Sequence, residues 1–430
     1  MDMKMIAILL FAATYILLLA MPAKKPYVAV GSAFLFVVVG IVPLREVPLA
    51  IDWNVIMMIA GTMGIVSLFI ESRMPALIGD FIVRKAPDMR WVIILLSLAS
   101  GLISAFVDNV ATVLIIAPIA VNLFKRLNAP IVPAAIIAIS LASNLQGVAT
   151  LVGDTTSIML AGKTGMDFMD FFIYRGKPGL FWVVQISAIA ATVVLFVQLK
   201  KYKGRLETLP DREVVNDFFP TYLLLGLIGA LIAASFIPAE NKPEVLNGII
   251  CVALMIVGFI HKMATKNGFK NIKDNLFEID YQTLLLLAGL FVVVGGIVRT
   301  GVVHDIGNLF LNIGGSNLFL IYTLIVWFSV LVSAFVDNIP YVATMLPVVA
   351  VMSESLGLSS PLLYFGLLSG ATLGGNITPI GASANITALG ILRREGCVPT
   401  TGYYMKISVP FTLIAVFTGY VLIWLIWAST

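Results

Sequence analysis

The hexapeptide Ser-Ala-Phe-Val-Asp-Asn occurs twice in this chain, at 104–109 and again at 333–338. Each copy ends a long apolar run, which places an aspartate inside hydrophobic sequence at two matching positions. An aspartate at the centre of a bilayer costs about 2.5–3.5 kcal/mol on insertion scales, so such residues usually face a partner or a water-filled cavity rather than lipid. The duplication predicts two copies of one membrane unit, each with a buried carboxylate.

The composition is typical of a polytopic α-helical membrane protein. Of the 430 residues, 60% are hydrophobic and 12% are charged, and the mean hydropathy is +1.03, whereas about 25% of residues in a soluble domain are charged. The net charge of +4 comes from loop lysines and arginines and indicates no nucleic-acid partner. The two cysteines, Cys251 and Cys397, predict neither a disulfide framework nor a metal site. We expect no cofactor, and we expect the first 21 residues to be a retained helix because no small-residue cleavage site follows them.

Two hairpins and two broken helices interrupt the series of membrane spans. Paired apolar segments meeting at the Asp-Asn tips predict re-entrant hairpins at 91–124 and 318–352, the second with a longer first leg, 318–336. Glycine-rich and polar interruptions predict broken helices at 131–161 and 361–389, which a membrane tolerates only where the unwound backbone is buried or lines a cavity. Full spans are predicted at 5–21, 27–42, 53–70, 180–199, 220–237, 245–260, 281–298 and 407–427.

An offset of 228 or 229 residues relates the two copies. It pairs Asp52 with Asp280 and Gly153 with Gly381. Five full crossings plus one hairpin per copy is an odd number of crossings, so the second copy is predicted to be inverted relative to the first. The predicted divisions are a first repeat at 1–205, a cytoplasmic linker at 206–217 and a second repeat at 218–430.

The distribution of basic residues predicts the orientation. With both termini outside, 20 of the 27 lysines and arginines fall in inside loops, in agreement with the positive-inside rule. The seven that fall outside are Lys4, Arg45, Lys163, Arg175, Lys177, Lys242 and Arg299.

Polar residues collect at the hairpin tips and at the helix breaks. Helix ends there present free N–H and C=O groups that can hold an ion or a polar solute. Single Ser, Thr and Asn residues also cap helices and link them, so both interpretations stand for these. The two Asp-Asn pairs favour a functional role, because a neutral residue would cap a helix at lower cost. The candidate binding and coupling residues are Asp108, Asn109, Thr112, Asn144, Gly147, Thr150, Gly153, Asp154, Thr155, Asp337, Asn338, Thr344, Gly375, Asn376, Thr378, Gly381, Ser383 and Asn385.

Asp154 breaks the symmetry of the two copies, because its equivalent is Ala382. The extra titratable group predicts a proton site in one half. The alternative interpretation is that Asp154 caps a second half-helix beginning at Thr155.

Four motifs carry a resemblance to a known family: Asp-Asn-Val-Ala-Thr at 108–112, Asp-Asn-Ile-Pro-Tyr-Val-Ala-Thr at 337–344, Gly-Val-Ala-Thr-Leu-Val-Gly-Asp at 147–154 and Gly-Gly-Asn-Ile-Thr-Pro-Ile-Gly-Ala-Ser-Ala-Asn at 374–385. They resemble the signatures of the ion transporter superfamily. The chain is most similar to its arsenite-efflux permease and P-protein branch, which is related to NhaD-type sodium/proton antiporters and to dicarboxylate and citrate transporters. The resemblance implies a scaffold, mobile regions that contain the hairpins, elevator-like alternating access, a homodimer and a peripheral ATPase partner.

The candidate site itself limits the substrate. Three aspartates and no lysine or arginine lie in the tips and breaks, which favours a neutral polar solute or a cation over a multiply charged anion. In the dicarboxylate branch the tips read Ser-Asn-Thr, and Asp at 108 and 337 argues against a carboxylate substrate here.

With the resemblance, the leading prediction is proton-coupled efflux of arsenite or antimonite across the cytoplasmic membrane. The alternatives are a sodium/proton antiporter and a P-protein-type anion carrier. An intramembrane aspartyl protease would need neither the second Asp-Asn hairpin nor the inverted repeat. We therefore predict a transporter and not an enzyme.

Overall fold

The computed structural model describes residues 2–126, 131–200, 202, 204, 214–265, 279–315, 317–358 and 361–428. Within these ranges the chain forms nineteen α-helices and one two-stranded antiparallel hairpin, so the predicted all-α membrane fold is confirmed. Most of the predicted linker, 206–213, lies outside the described residues.

Ten helices precede the predicted linker. The short strands β1 (Ile173–Tyr174) and β2 (Lys177–Pro178) lie before the last of them, and the sequence did not predict these strands. The ten helices are α1 (Met3–Ala20), α2 (Lys25–Val38), α3 (Val47–Ala50), α4 (Trp53–Glu71), α5 (Met74–Lys85), α6 (Met89–Ser104), α7 (Asn109–Arg126), α8 (Val132–Gly147), α9 (Thr155–Thr164) and α10 (Leu180–Gln198).

Nine described helices follow the predicted linker. They are α11 (Phe219–Ala234), α12 (Leu246–Thr265), α13 (Tyr281–Arg299), α14 (Val302–Gly314), α15 (Leu318–Ser333), α16 (Asn338–Ser355), α17 (Leu362–Gly374), α18 (Ser383–Arg394) and α19 (Thr401–Trp427). Short 3₁₀ turns lie at Pro22–Lys24, Leu44–Glu46, Met169–Phe171 and Ala239–Asn241.

The same kind of cap begins equivalent helices in both halves. Asp52 begins α4 by accepting a hydrogen bond from the backbone N–H three residues on, at 3.0 Å, and Asp280 begins α13 in the same way at 3.1 Å. Asp88 and Asn317 do the same for α6 and α15, at 2.9 and 3.1 Å. A cap of this kind contributes about 1 kcal/mol to stability. The two halves therefore start their helices at the positions that the sequence offset predicts.

The two halves are interlocked by exchanged helix pairs. In the first exchange α4 packs along α12, and in the second α13 packs along α2. Gly61 of α4 lies against the backbone of Cys251, and Gly289 of α13 lies against the backbone of Ala29, so closely that neither glycine has room for a β-carbon. These matched contacts make α2 and α12 structural equivalents.

Both predicted hairpins are present, and their corresponding helices have the same lengths in the two halves. Hairpin one consists of α6 and α7, and hairpin two consists of α15 and α16; in each, the first helix has 16 residues and the second has 18. The prediction of a longer first leg at 318–336 was wrong. Helix α15 ends at Ser333, and 334–336 form the turn at the tip, because Asp337 caps the next helix. A helix of 16 residues rises about 24 Å, less than the roughly 30 Å of a hydrocarbon core.

Apolar surface covers the outside of the helices. Within the described chain, six helices are long and apolar enough to cross a membrane, namely α1, α4, α10, α12, α13 and α19. Large apolar side chains such as Phe34 and Leu425 remain 65% and 70% exposed. A face of this kind is stable against lipid, and the chain is a multi-pass membrane protein.

Candidate functional site

Each hairpin tip docks against the break of the helix that follows it. The hydroxyl of Thr150 donates a hydrogen bond to the carbonyl of Ala105, and that of Thr378 donates to the carbonyl of Ala334. These bonds are equivalent in the two halves. They satisfy backbone carbonyls that a helix end would otherwise leave unpaired within the membrane.

Glycine at the break allows this close approach. A β-carbon at Gly153 would lie 2.7 Å from the carbonyl oxygens of Ser104 and Ala105. A β-carbon at Gly381 would lie 2.6 Å from the carbonyl oxygen of Ser333. Real β-carbons do not approach carbonyl oxygens this closely, so these two positions have the same steric role in both halves.

Asp154 joins the first break to the first hairpin. One carboxylate oxygen accepts a hydrogen bond from the Thr156 N–H at 2.9 Å, which caps α9. The other accepts from the Asn109 side-chain amide at 3.2 Å, and the same amide donates to Asn144 at 3.0 Å. Asp154 is 4% exposed. It therefore caps the half-helix and also contacts the hairpin tip, so the two interpretations of this residue are compatible.

Asp108 caps the second helix of hairpin one. Its Oδ1 accepts hydrogen bonds from the backbone N–H groups of Val110 and Ala111, at 3.0 and 3.1 Å. Among the described residues it forms no ion pair. Asp108 thus presents a carboxylate that no lysine or arginine of the described ranges pairs with.

Asp337 has a different environment. Its Oδ1 accepts from the Ile339 N–H at 3.3 Å, which caps α16. Its Oδ2 accepts from the Ser383 hydroxyl at 3.0 Å and from the Lys25 ammonium at 2.8 Å. The second of the two repeated aspartates is therefore ion-paired.

A cavity of about 390 Å³ is lined by Asp108 and Asp154, whereas Asp337 lines a neighbouring cavity. The first cavity lies between α4, hairpin one, α9 and the starts of α13, α16 and α18. Its polar lining residues are Ser67, Asp108, Asn109, Asp154, Thr155, Asp280, Thr283, Asn338 and Ser383, and no lysine or arginine of the described chain lines it.

A second cavity, of about 530 Å³, adjoins the first. The two share Asp280, Thr283, Ile339 and Ser383, and the second also contains Lys25. It is lined by the turn before α2 and by the first turn of α13, which the charge bias assigns to the cytoplasmic side. The two adjoining cavities, taken together as the combined space, reach the helix ends that are predicted to face the cytoplasm.

Three predicted asparagines link the two halves at the centre of the molecule. Asn144 donates to the carbonyl of Thr372 at 2.7 Å, and Asn376 donates to the carbonyl of Leu141 at 3.0 Å. The amide oxygen of Asn385 accepts from a serine hydroxyl of α8 at 3.0 Å. These buried bonds satisfy polar groups and join helices, as the alternative interpretation of such residues proposed.

Other predicted residues do not line either cavity. Thr112 donates to the carbonyl of Asp108 at 3.0 Å. Thr344 bonds to the Tyr15 hydroxyl of α1. Helix α8 ends at Gly147 and α17 is capped by Gly375, so these glycines end the first half of each broken helix.

Sequence reasoning missed three residues near the site. Asp280 lines both cavities, and the offset that pairs it with Asp52 was the available signal. Lys25 was assigned to an inside loop, and Tyr15 to a plain membrane span. Only the packing of α1 and α2 against hairpin two brings these side chains to the site.

Comparisons with known proteins agree with this architecture. The protein-family model described as citrate transporter matches residues 15–367. An uncharacterised transporter of Mycobacterium tuberculosis is 34% identical over 98% of this chain and 99% of its own length. The human P protein is 24% identical over 86% of this chain and 53% of its own length. The solved structure of the Alcanivorax borkumensis YdaH transporter aligns with a TM-score of 0.59 at 16% identity, over 86% of this chain and 84% of that one. The predicted membership of the ion transporter superfamily is confirmed.

Proposed function

This chain belongs to the citrate transporter family and is a membrane transporter, and we propose that it exports arsenite or antimonite, coupled to protons, by elevator-like alternating access. One observation supports the proposal most strongly. The carboxylates of Asp108 and Asp154 line one cavity with the amide of Asn109, and no lysine or arginine of the described chain lines it. Such a site suits a cation or a neutral polar solute, because a buried anion without a cationic partner is strongly unfavourable.

Arsenous acid fits the chemistry of this lining. It is neutral, and its hydroxyl groups both donate and accept hydrogen bonds. Carboxylate oxygens accept from hydroxyls, while amide and hydroxyl side chains such as Asn109, Thr155 and Ser383 both donate and accept. The resemblance to arsenite-efflux permeases makes this solute the first to test.

Proton coupling is proposed because a neutral solute cannot be driven by its own charge. Asp154 is the leading proton site, since the equivalent position in the other half is Ala382. Its carboxylate accepts from Asn109 at the hairpin tip and from the first turn of α9. A proton on the oxygen that faces Asn109 removes one acceptor, so proton binding changes the contact between the tip and the break. Asp108 is the second carboxylate available in the same cavity.

A second candidate function is transport of a carboxylate anion. Two observations favour it: Lys25 lies in the adjoining cavity, and the matching family is described as citrate transporter. Four aspartates and one lysine line the combined space. An anion would therefore need to enter with cations that neutralise the site. A sodium/proton antiporter would use the same carboxylates with no other solute.

Transport by proteoliposomes with an imposed pH gradient distinguishes these functions. Arsenite should accumulate, the accumulation should collapse with a protonophore, and sodium should have no effect. Accumulation of citrate in the presence of divalent cations, with no accumulation of arsenite, would favour the carboxylate carrier. Proton flux triggered by sodium or lithium without added solute would overturn the proposal in favour of antiport.

A pair of matched variants separates coupling from helix capping at Asp154. Asp154→Asn keeps an oxygen that can cap α9 but removes the titratable proton. It should abolish gradient-driven accumulation while exchange without a gradient persists. Asp88→Asn makes the same change at the cap of α6, away from the cavity, and should leave coupling intact. Equal effects of the two substitutions would reduce Asp154 to a structural cap.

A further inference from the structure

Lys25 places a positive charge against hairpin two. Its ammonium nitrogen lies 2.8 Å from Oδ2 of Asp337, and the two side chains are 17% and 6% exposed. The residue belongs to the first turn of α2, whereas Asp337 lies 312 positions away at the second hairpin tip. The pair therefore connects two elements that only the tertiary structure brings together.

The position of Lys25 is unfavourable for the helix that carries it. The first turn of an α-helix is the positive end of the helix dipole, where cations are disfavoured. A lysine and an aspartate that are largely withdrawn from water are each costly when unpaired. The ion pair with Asp337 therefore offsets both the helix-dipole cost and the burial cost of the Lys25 ammonium.

The equivalent position in the other half lacks this charge. Gly289 packs on Ala29, and Gly61 packs on Cys251, so Ala29 and Cys251 are structural equivalents. Counting back four residues from each pairs Lys25 with Asn247. Asn247 is neutral and lies at the opposite end of the molecule.

Lys25 is the cation that contacts Asp337 among the described residues. The other titratable groups that face this carboxylate are acids and a phenol. Asp280 at the start of α13 lines the same cavity as Asp337. The Tyr15 hydroxyl of α1 donates to the carbonyl of Pro340 in α16, and Asp154 is near enough to interact electrostatically with Asp337. In the part of the chain that the structure describes, no neighbouring group therefore substitutes for the lysine.

We propose that Lys25 is a built-in counter-ion that occupies Asp337 and keeps coupling cations out of hairpin two. The proposal rests on the function given above and deepens it, because it restricts cation coupling to Asp108 at the tip of hairpin one and Asp154 at the first helix break. Lys25 thereby sets the number of cations that accompany each solute. A carrier with two free hairpin aspartates would take up a further cation.

Proton binding by the purified protein tests this inference without a known substrate. The protons taken up after an acid pulse are counted with a pH-indicator dye in detergent solution. Lys25→Gln should take up one more proton per molecule than the unaltered protein, and Lys25→Gln combined with Asp337→Asn should lose that gain. Lys24→Gln is the matched control, since the adjacent lysine is exposed, and it should leave the count unchanged. An unchanged count for a folded Lys25→Gln would overturn the proposal.

Two further variants apply if Lys25→Gln does not fold. Asp337→Asn alone should leave the proton count unchanged, because Lys25 already occupies this carboxylate, whereas Asp154→Asn should lower it by one. A loss of one proton in Asp337→Asn would show that Asp337 titrates freely and would refute the counter-ion role. Lys25→Arg, which keeps the charge, should behave like the unaltered protein. The count is independent of the arsenite assay, so failure of the proposed function and failure of this inference are distinguishable.

Discussion

The two ends of the molecule differ in one helix contact, although the two halves carry equivalent residues there. The contact is that of α9 with α4 at one end and of α18 with α13 at the other. At the end predicted to face outside, α9 lies against α4, and a β-carbon at Gly162 would lie 2.6 Å from the carboxylate of Asp52 and 2.8 Å from Val55. At the other end, nothing lies within 4 Å of the β-carbon position of Gly390. There Asp280, the equivalent of Asp52, lines the open cavity. One contact is closed and its counterpart is open.

This difference indicates how the molecule can work. Because the same residue types are available at both ends, closing α18 on α13 while α9 leaves α4 would replace one contact by an equivalent one. Two conformations that exchange equivalent contacts differ little in free energy, which is what a carrier requires. We therefore expect the alternative conformation to have α18 closed on α13 and α9 separated from α4.

The largest expected effect comes from filling the glycine positions. A leucine at Gly162 cannot fit against Asp52, so Gly162→Leu should open the outer contact and abolish transport. Nothing lies within 4 Å of the Gly390 β-carbon position, so Gly390→Leu fits this structure but would prevent α18 from closing on α13. It should therefore also abolish transport, with the opposite state trapped. Gly226→Leu, on α11 where nothing lies within 4 Å, is the control for the added side chain and should transport normally.

Thiol labelling at equivalent positions identifies the trapped states. Val55 is 1% exposed, whereas its equivalent Thr283 lines the open cavity. With Cys251 and Cys397 replaced by alanine, a cysteine at 55 should react with an impermeant reagent in the Gly162→Leu background only. Protection of that cysteine in this background would contradict the comparison of the two ends.

Disulfide trapping gives the next effect in size, without an added bulky side chain. The pair Asp52→Cys and Gly162→Cys should cross-link readily in the state described here. The pair Asp280→Cys and Gly390→Cys should cross-link only when the molecule turns over, and its cross-link should stop transport. Rapid cross-linking of both pairs in the absence of turnover would mean that both ends close together, which excludes alternating access of this kind.

A smaller effect, equal in the two halves, is expected on protein stability when the contact between each hairpin tip and its helix break is disturbed. An added methyl group at Gly153 or Gly381 would overlap carbonyl oxygens of the hairpin tip, so each alanine substitution should destabilise the protein by about 1–3 kcal/mol. Gly402→Ala, with nothing within 4 Å, is the control. Melting temperatures in detergent measure the effect. A loss at only one of the two glycines would show that the tips, like the ends, are not equivalent.

The smallest effect is expected from the tip hydrogen bonds themselves. Thr150→Val and Thr378→Val each remove one hydroxyl that donates to a tip carbonyl, which should lower stability by about 0.5–1.5 kcal/mol. Both tips are docked in this structure, so the two losses should be equal within error. A several-fold difference between the two melting-temperature shifts would indicate that one tip detaches during transport.

The sequence by itself determined the fold class, the repeat and the positions of the hairpin tips and helix breaks. The length of apolar runs, and the glycine and proline residues that interrupt them, are local properties with direct consequences in a membrane. The roles of individual polar residues followed less well. Thr112 and Thr344 look equivalent to cavity residues in the sequence, yet they bond to a local carbonyl and to Tyr15.

Only the tertiary structure decided the pairing of Lys25 with Asp337, the presence of Asp280 in the cavity and which of the two equivalent helix contacts, α9 on α4 or α18 on α13, is closed. The pairing depends on the approach of helices from opposite halves, separated by 312 positions in the chain, and no local pattern encodes that distance. The closed contact is one of two equivalent arrangements. A repeated sequence specifies both arrangements, and the packing of the folded chain selects one of them.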